Sequence, residues 1–164
     1  MSFGQVVLES ASREDVAALA ALERQCFSNP WTEGQLRAEI GEEQGRLAVV
    51  LRAVEGRESP LRGVVAYCLI RVVADEAHVH NLAVAPSHRR LGLGRQILRL
   101  ALDLAARRGA RSAHLEVREG NRAAIQLYRG LGFRTAGLRR GYYTNPKEDG
   151  LRLELRDLQV AVPP

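Results

Sequence analysis

Between Arg89 and Arg95 the chain reads RRLGLGR, with a strand pattern ending in HNLAV before it and a helical pattern from Leu93 onward. Glycine at a strand-to-helix junction lets successive backbone N–H groups point at one spot. The helix N-terminus adds the positive end of its dipole, and flanking arginines add charge. This chemistry suits a phosphate or pyrophosphate. It is not a P-loop, because Gly94 is followed by Arg95 and Gln96 instead of Lys-Ser/Thr, nor a Rossmann fingerprint, whose third small residue is Ile97 here. A glycine-rich turn without a ligand is the other reading of these residues alone.

Two side chains further along could move protons. Glu116 interrupts the apolar run AHLEV, where a carboxylate is either functional or simply turned to solvent while Leu115 and Val117 face the other way. Tyr128 falls within a helical pattern, where an amphipathic packing role competes with a chemical one. Asn121 stands at the N-cap of that helix. His78 and His80 are the only close histidine pair and read as partly exposed structural residues. With no further ligand in sight, no metal site is expected. Cys26 and Cys68 form no CxxC and read as reduced, half-buried core residues outside any cofactor groove, so a covalent cysteine mechanism is not expected.

The elements that would position these groups follow from periodicity and caps. Strands are expected at Val6–Glu9, Arg46–Val54, Gly63–Val73, Ala77–Val84, Ser112–Val117, Phe133–Leu138 and Leu151–Leu158. The second to fourth should form an antiparallel meander, broken by EGRESPLRG and by a turn at Ala74-Asp75-Glu76. Helices are expected at Ser12–Cys26 and Thr32–Ile40, where Ser12/Asp15 and Thr32/Gln35 have capping-box spacing. Two more are expected at Leu93–Arg108 and Arg122–Leu131, each stopped by a glycine, Gly109 and Gly132. Gln96, Arg99, Asp103 and Arg107 give the long helix a polar stripe on an otherwise largely apolar sequence.

The 164 residues suit one domain, with 46% hydrophobic and 26% charged content typical of a globular protein. No apolar run approaches the ~20 residues that cross a bilayer, and MSFGQVVLESASRED turns polar too early for a secretory signal. A cytoplasmic location without membrane contact is therefore expected. Net charge is +5 and the pI near 9.9, yet Lys147 is the only lysine among 24 basic residues. That bias, with no basic tail and no basic stripe interleaved with aromatics, argues against direct nucleic-acid binding.

The run R-x-x-G-x-G from Arg89 to Gly94 resembles the acetyl-CoA loop of the GCN5-related N-acetyltransferases (GNAT), and LEVREGNRAAIQLYRGLGF, Leu115 to Phe133, resembles their second signature. Within that superfamily the chain is most similar to the RimI branch, the ribosomal-protein-alanine N-acetyltransferases. NPWTEGQL, VVADEAHVHNLAVAP from Val72 and RRGYY from Arg139 carry that likeness; the charged LRLELRDL departs from the branch's apolar last strand. The resemblance implies a single GNAT domain over 1–164. Its α/β (α+β) fold would have a mixed, mostly antiparallel central sheet of about seven strands flanked by about four helices.

The resemblance also implies roles. Acetyl-CoA would be the co-substrate, bound by Leu82, Ala83, Val84, Arg90, Leu91, Gly92, Leu93, Gly94, Arg95 and Asn121. A backbone N–H near Leu82 could polarise the thioester carbonyl. Glu116 would be the general base and Tyr128 the general acid for the leaving thiolate; Trp31, Tyr142 and Tyr143 would line the peptide groove, with one tyrosine of the pair packing inward. The acceptor would be a protein N-terminal α-amine, whose pKa of about 7.7–8.0 asks less of a base than a lysine near ~10.4. A ribosomal protein beginning with alanine is the expected substrate, attacking directly within a ternary complex. Alternatives are a broader N-terminal, lysine or small-amine acetyltransferase, or a non-catalytic acyl-CoA-binding module.

Overall fold

The computed structural model of the chain describes residues 5–41, 43–54 and 62–160. Among the described residues, seven strands form one sheet: β1 (Val6–Ser10), β2 (Arg46–Ala53), β3 (Val64–Val73), β4 (Glu76–Val84), β5 (Ser112–Arg118), β6 (Arg134–Thr144) and β7 (Lys147–Leu155). Four helices accompany them: α1 (Val16–Cys26), α2 (Glu33–Glu39), α3 (Leu93–Arg107) and α4 (Arg122–Gly130). The sheet order is β1-β2-β3-β4-β5-β7-β6, and every pairing is antiparallel except β4 with β5. This is the mixed, mostly antiparallel sheet with four helices that the resemblance implied, and β2–β4 form the expected meander. Residues 55–61, the bulk of the stretch expected to separate β2 from β3, lie outside the described residues.

Each face of the sheet has its own core. On one face, α3 buries Leu93, Ile97, Leu98, Ala101, Leu102 and Ala105 against Val49, Cys68, Val79, Leu115 and Val117. On the other, α1 and α2 bury Leu19, Leu22 and Leu36 against Val50, Tyr67, Leu69 and Ala83. β3, the middle strand of the meander, serves both cores, which explains its almost uninterrupted apolar run VVAYCLI. Removing apolar area of this kind from water is what holds the layers together.

Local signals place most ends. The Thr32 N–H donates to Gln35 Oε1 (2.9 Å) and the Gln35 N–H to Thr32 Oγ1 (3.2 Å), the reciprocal bonds of a capping box. The Ser12 N–H donates to Asp15 (2.9 Å), but a 3-10 turn at Arg13–Asp15 precedes α1, which begins at Val16 and not at Ser12. The last hairpin corrects the expectation further. β6 runs past Leu138 to Thr144, and β7 starts at Lys147 and ends at Leu155. β6 is an edge strand paired only with β7, so its polar residues need no alternating apolar face, and a register shift between Arg139 and Tyr143 accommodates Gly141.

A V-shaped cleft between two strands

β4 and β5 pair only over Glu76–His78 and Ser112–His114. Beyond that point His80 is an extra residue in β4, since Ile70 faces Val79 while Leu69 faces Asn81. The bulge bends β4, and the two parallel strands part. A cavity of about 910 Å3 opens between Val79–Val84 on one side and Leu115–Arg118 on the other. Two parallel strands that separate leave backbone and side chains of both edges facing a shared space, so one ligand can reach both faces of the sheet.

The glycine loop closes one end of this cleft. Gly92 is the N-cap of α3 and adopts φ +78°, a left-handed conformation that glycine enters without steric cost. The first helical bond runs from the Gln96 N–H to the Gly92 carbonyl (3.0 Å), so the N–H groups of Leu93, Gly94 and Arg95 precede the helical ladder. Arg90, Gly92, Leu93, Gly94 and Arg95 all line the cavity, whereas Leu91 is exposed and does not. The arginines differ in what they are free to do. Arg95 Nη2 donates to the Gly130 carbonyl (3.1 Å), tying α3 to α4, and Arg89 Nε donates to the Val84 carbonyl (3.2 Å). Arg90 makes no side-chain bond among the described residues and is the cation available to an incoming phosphate.

Leu82, Ala83 and Val84 line the cavity from β4. The Leu82 N–H, expected to meet a thioester carbonyl, donates to Asn81 Oδ1 (2.9 Å), so an acyl oxygen would take the place of that amide. The Val84 carbonyl accepts from Arg89 and from the Cys26 thiol (3.5 Å). Cys26 therefore lies in the cavity, contrary to the sequence expectation; as the last residue of α1 it sits where the end of that helix meets β4. Burial raises its pKa, against the lowering effect of Arg89, so it is a poor thiolate. Cys68 is fully buried and pushed up to about 12 by that burial.

Glu116 and Tyr128 both line the cavity, on opposite sides of the sheet plane. Leu115 and Val117 belong to the α3-side core, so Glu116 alternates to the face that carries α1 and α2. It is half-buried, with Arg139 Nη2 3.4 Å from its Oε1. Tyr128 sits on α4 within the α3-side core, edge-on to Phe133. Burial lifts its hydroxyl pKa above the usual tyrosine value, with Cys68 and Tyr143 adding to the rise, which keeps the proton on the oxygen. Asn121 caps α4, accepting from the Ala124 N–H (3.2 Å), and also lines the cavity.

On the face of Glu116 the cavity is bounded by Trp31, Tyr143 and Arg118. Tyr142 does not line it: its ring points outward, 45% exposed, and the register shift in β6 brings Tyr143 inward instead. Burial and then Tyr142 push Tyr143 up to about 12, partly offset by Arg118, with Glu116 and Glu148 adding to the rise.

Sequence reading missed Glu23 as part of this site. It is fully buried in α1, lines the cavity, and accepts from the Trp31 N–H (2.7 Å), Asn81 Nδ2 (2.6 Å) and the Tyr67 hydroxyl. A polar residue closing an otherwise apolar helical stripe was the available signal. His80 is partly exposed and also lines the cavity, approaching Glu39 (3.4 Å), while His78 stacks on His114. Among the described residues, no three His, Cys, Asp or Glu side chains converge as metal ligands, and no helix is long and apolar enough to cross a membrane.

Residues 16–133 match the model of the acetyltransferase (GNAT) family. The chain is 34% identical over 150 residues to the [ribosomal protein bS18]-alanine N-acetyltransferase of Escherichia coli K12, spanning 90% of this chain and 95% of that protein. It is 33% identical over 150 residues to the N-alpha-acetyltransferase RimI of Mycobacterium tuberculosis, spanning 84% of each. The crystal structure of the E. coli ribosomal-protein-S18-alanine N-acetyltransferase superposes with a TM-score of 0.83 at 33% identity, over 96% of this chain and 97% of that one.

Proposed function

The chain belongs to the acetyltransferase (GNAT) family, and from that premise we propose that it transfers acetyl from acetyl-CoA to the N-terminal α-amine of a ribosomal protein that begins with alanine. The observation that carries this reading is the cleft where β4 and β5 part. It joins an anion-binding helix start and a buried tyrosine, Tyr128, on the α3 face to a carboxylate, Glu116, on the α1–α2 face. The chain is read as a single domain over 1–164, acting in the cytoplasm on a protein N-terminus, without contact to nucleic acid or membrane.

Acetyl-CoA, when bound, supplies the acetyl group as a thioester. The fit rests on the residues present: the left-handed Gly92, the N–H groups of Leu93, Gly94 and Arg95, and the free cation of Arg90 suit its pyrophosphate. Asn121 and the β4 edge at Leu82–Val84 hold the arm that leads to the thioester. Glu116 takes a proton from the acceptor's α-ammonium, freeing the amine that attacks the acetyl carbonyl, and Tyr128 gives its proton to the sulfur as the carbon–sulfur bond breaks and the new amide forms. Trp31 and Tyr143 bound the acceptor side, and we assign Tyr143, in place of Tyr142, to the groove.

A non-catalytic acyl-CoA-binding module would need neither Glu116 nor Tyr128 at the cavity, and both are there. A broader α-amine specificity is the second reading, favoured by the name of the mycobacterial relative, which specifies no ribosomal protein. Turnover of acetyl-CoA against peptides with different first residues, lysine peptides and polyamines separates these readings. Transfer concentrated on peptides beginning with alanine supports the proposal. Equal turnover on many first residues supports the broader enzyme, and preference for lysine or polyamines sinks both.

A further inference from the structure

Arg118, at the end of β5, holds the β6–β7 hairpin by its tip. Its Nη2 donates to the Asn145 carbonyl (2.9 Å) and its Nη1 to the Pro146 carbonyl (2.9 Å), while Nη1 also pairs with Glu148 Oε1 (3.4 Å). The guanidinium carbon lies 4.3 Å from the centre of the Tyr143 ring, and the Tyr142 ring meets Tyr143 edge-on at 5.0 Å. The other oxygen of Glu148 accepts the Gly120 N–H (2.5 Å), so the carboxylate joins the same junction to the β5–α4 turn. Arg118, Tyr143 and Glu116 all line the acceptor side of the cleft, and Arg118 is three-quarters buried there.

We propose that Arg118 is a positioning residue for the acceptor. It fixes the β6–β7 hairpin and the Tyr143 ring as a rigid wall beside Glu116, so that the enzyme engages a peptide beyond its first residue and favours it over a small amine. Two adjacent main-chain carbonyls and an aromatic face match the planar fork and the flat face of a guanidinium. An ammonium can satisfy only part of that set. Removing the fork leaves β6, an edge strand, joined to the sheet by its pairing with β7 and by the contact of Arg139 with Glu116. The glycine loop Arg89–Arg95 shares none of these bonds.

The kinetic part of this inference rests on the acetyl-transfer reading; the structural part does not. Arg118→Lys in the full chain keeps the charge and loses the fork. Hydrogen exchange of the amides of residues 141–149 should quicken, with α3 unchanged. The KM of an alanine-initiated hexapeptide should rise on the order of tenfold, while kcat and acetyl-CoA affinity stay within about twofold and alaninamide turnover barely moves. Glu148→Gln should repeat this pattern more weakly, which guards against a folding defect in the lysine variant. Unchanged exchange in both variants, or an equal loss on hexapeptide and alaninamide, overturns the proposal. If the wild-type enzyme acetylates no peptide, the functional reading fails, and the exchange data alone decide whether Arg118 holds the hairpin.

Discussion

The Trp31 N–H donates 2.7 Å to the carboxyl group of Glu23, so the loop that bounds the acceptor side hangs from a fully buried side chain in α1. Asn81 Nδ2 and the Tyr67 hydroxyl reach the same carboxylate from β4 and β3. Three elements around the cleft thus share one acceptor group.

Glu23→Ala strands those donors and should destabilise the fold by about 3–5 kcal/mol in denaturant titrations. Burial raises the pKa of Glu23, against the Trp31 and Asn81 bonds that lower it. A carboxyl whose folded pKa is raised binds its proton more tightly folded than unfolded. Its contribution is therefore greatest in acid and is lost as pH rises through the folded pKa. The stability difference between Glu23→Gln and wild type should shift in the variant's favour from acid towards neutral pH. A difference that does not change with pH contradicts this.

Arg52 and Asp15 give the opposite sign. Burial works to raise the pKa of Asp15, but the Ser12 N–H and Arg52 (2.8 Å) outweigh it and hold the carboxyl below its usual value. That stabilisation is present above the unfolded carboxylate pKa and is lost as pH falls through the folded one. Asp15→Asn should lower stability near neutrality and flatten the acid limb of the stability curve. An acid limb as steep as that of wild type removes Asp15 from the account.

Glu116→Gln and Tyr128→Phe should each slow acetyl transfer by about 10²–10⁴ while leaving acetyl-CoA binding intact. Steady-state kinetics with calorimetric binding checks this. Wild-type rates in both variants contradict the proton-transfer assignments.

The two glycines of the loop should respond differently. Alanine at Gly92 meets no atom within 4 Å but must adopt φ +78°, which should cost about 1–2 kcal/mol of stability and weaken acetyl-CoA binding. At Gly94 a Cβ would sit 3.4 Å from Leu127 and 3.5 Å from Val84, ordinary contacts, so Gly94→Ala should leave stability nearly unchanged. Any loss of acetyl-CoA affinity in Gly94→Ala then reports the bare backbone that a phosphate needs.

Much of this architecture was legible because it is written in local patterns. Thr32/Gln35, Asn121 and Gly92 fix helix ends through bonds to nearby backbone, and the apolar face of α3 sets its orientation without reference to anything distant. The cleft was not legible as geometry, because it arises where β4 and β5, far apart in sequence, stop pairing after His78 and His114. Nothing local marks His80 as a bulge. The extent of β6 was missed because an edge strand needs no apolar alternation, and so was the exchange of Tyr142 for Tyr143, which depends on a register shift beside Gly141. Glu23 was visible as an odd polar position, but its partners come from β3, β4 and a loop. Cys26 was misplaced because its position depends on where the end of α1 packs against Val84 of β4, 58 residues away in sequence.

The central claim is transfer to an α-amine. A peptide that begins with alanine and carries one internal lysine offers both amines to the enzyme at once. Tandem mass spectrometry of the product after incubation with acetyl-CoA locates the added acetyl group. The account predicts acetyl on the N-terminal nitrogen, with the lysine unmodified. Acetyl on the lysine Nζ, with the α-amine free, would contradict it.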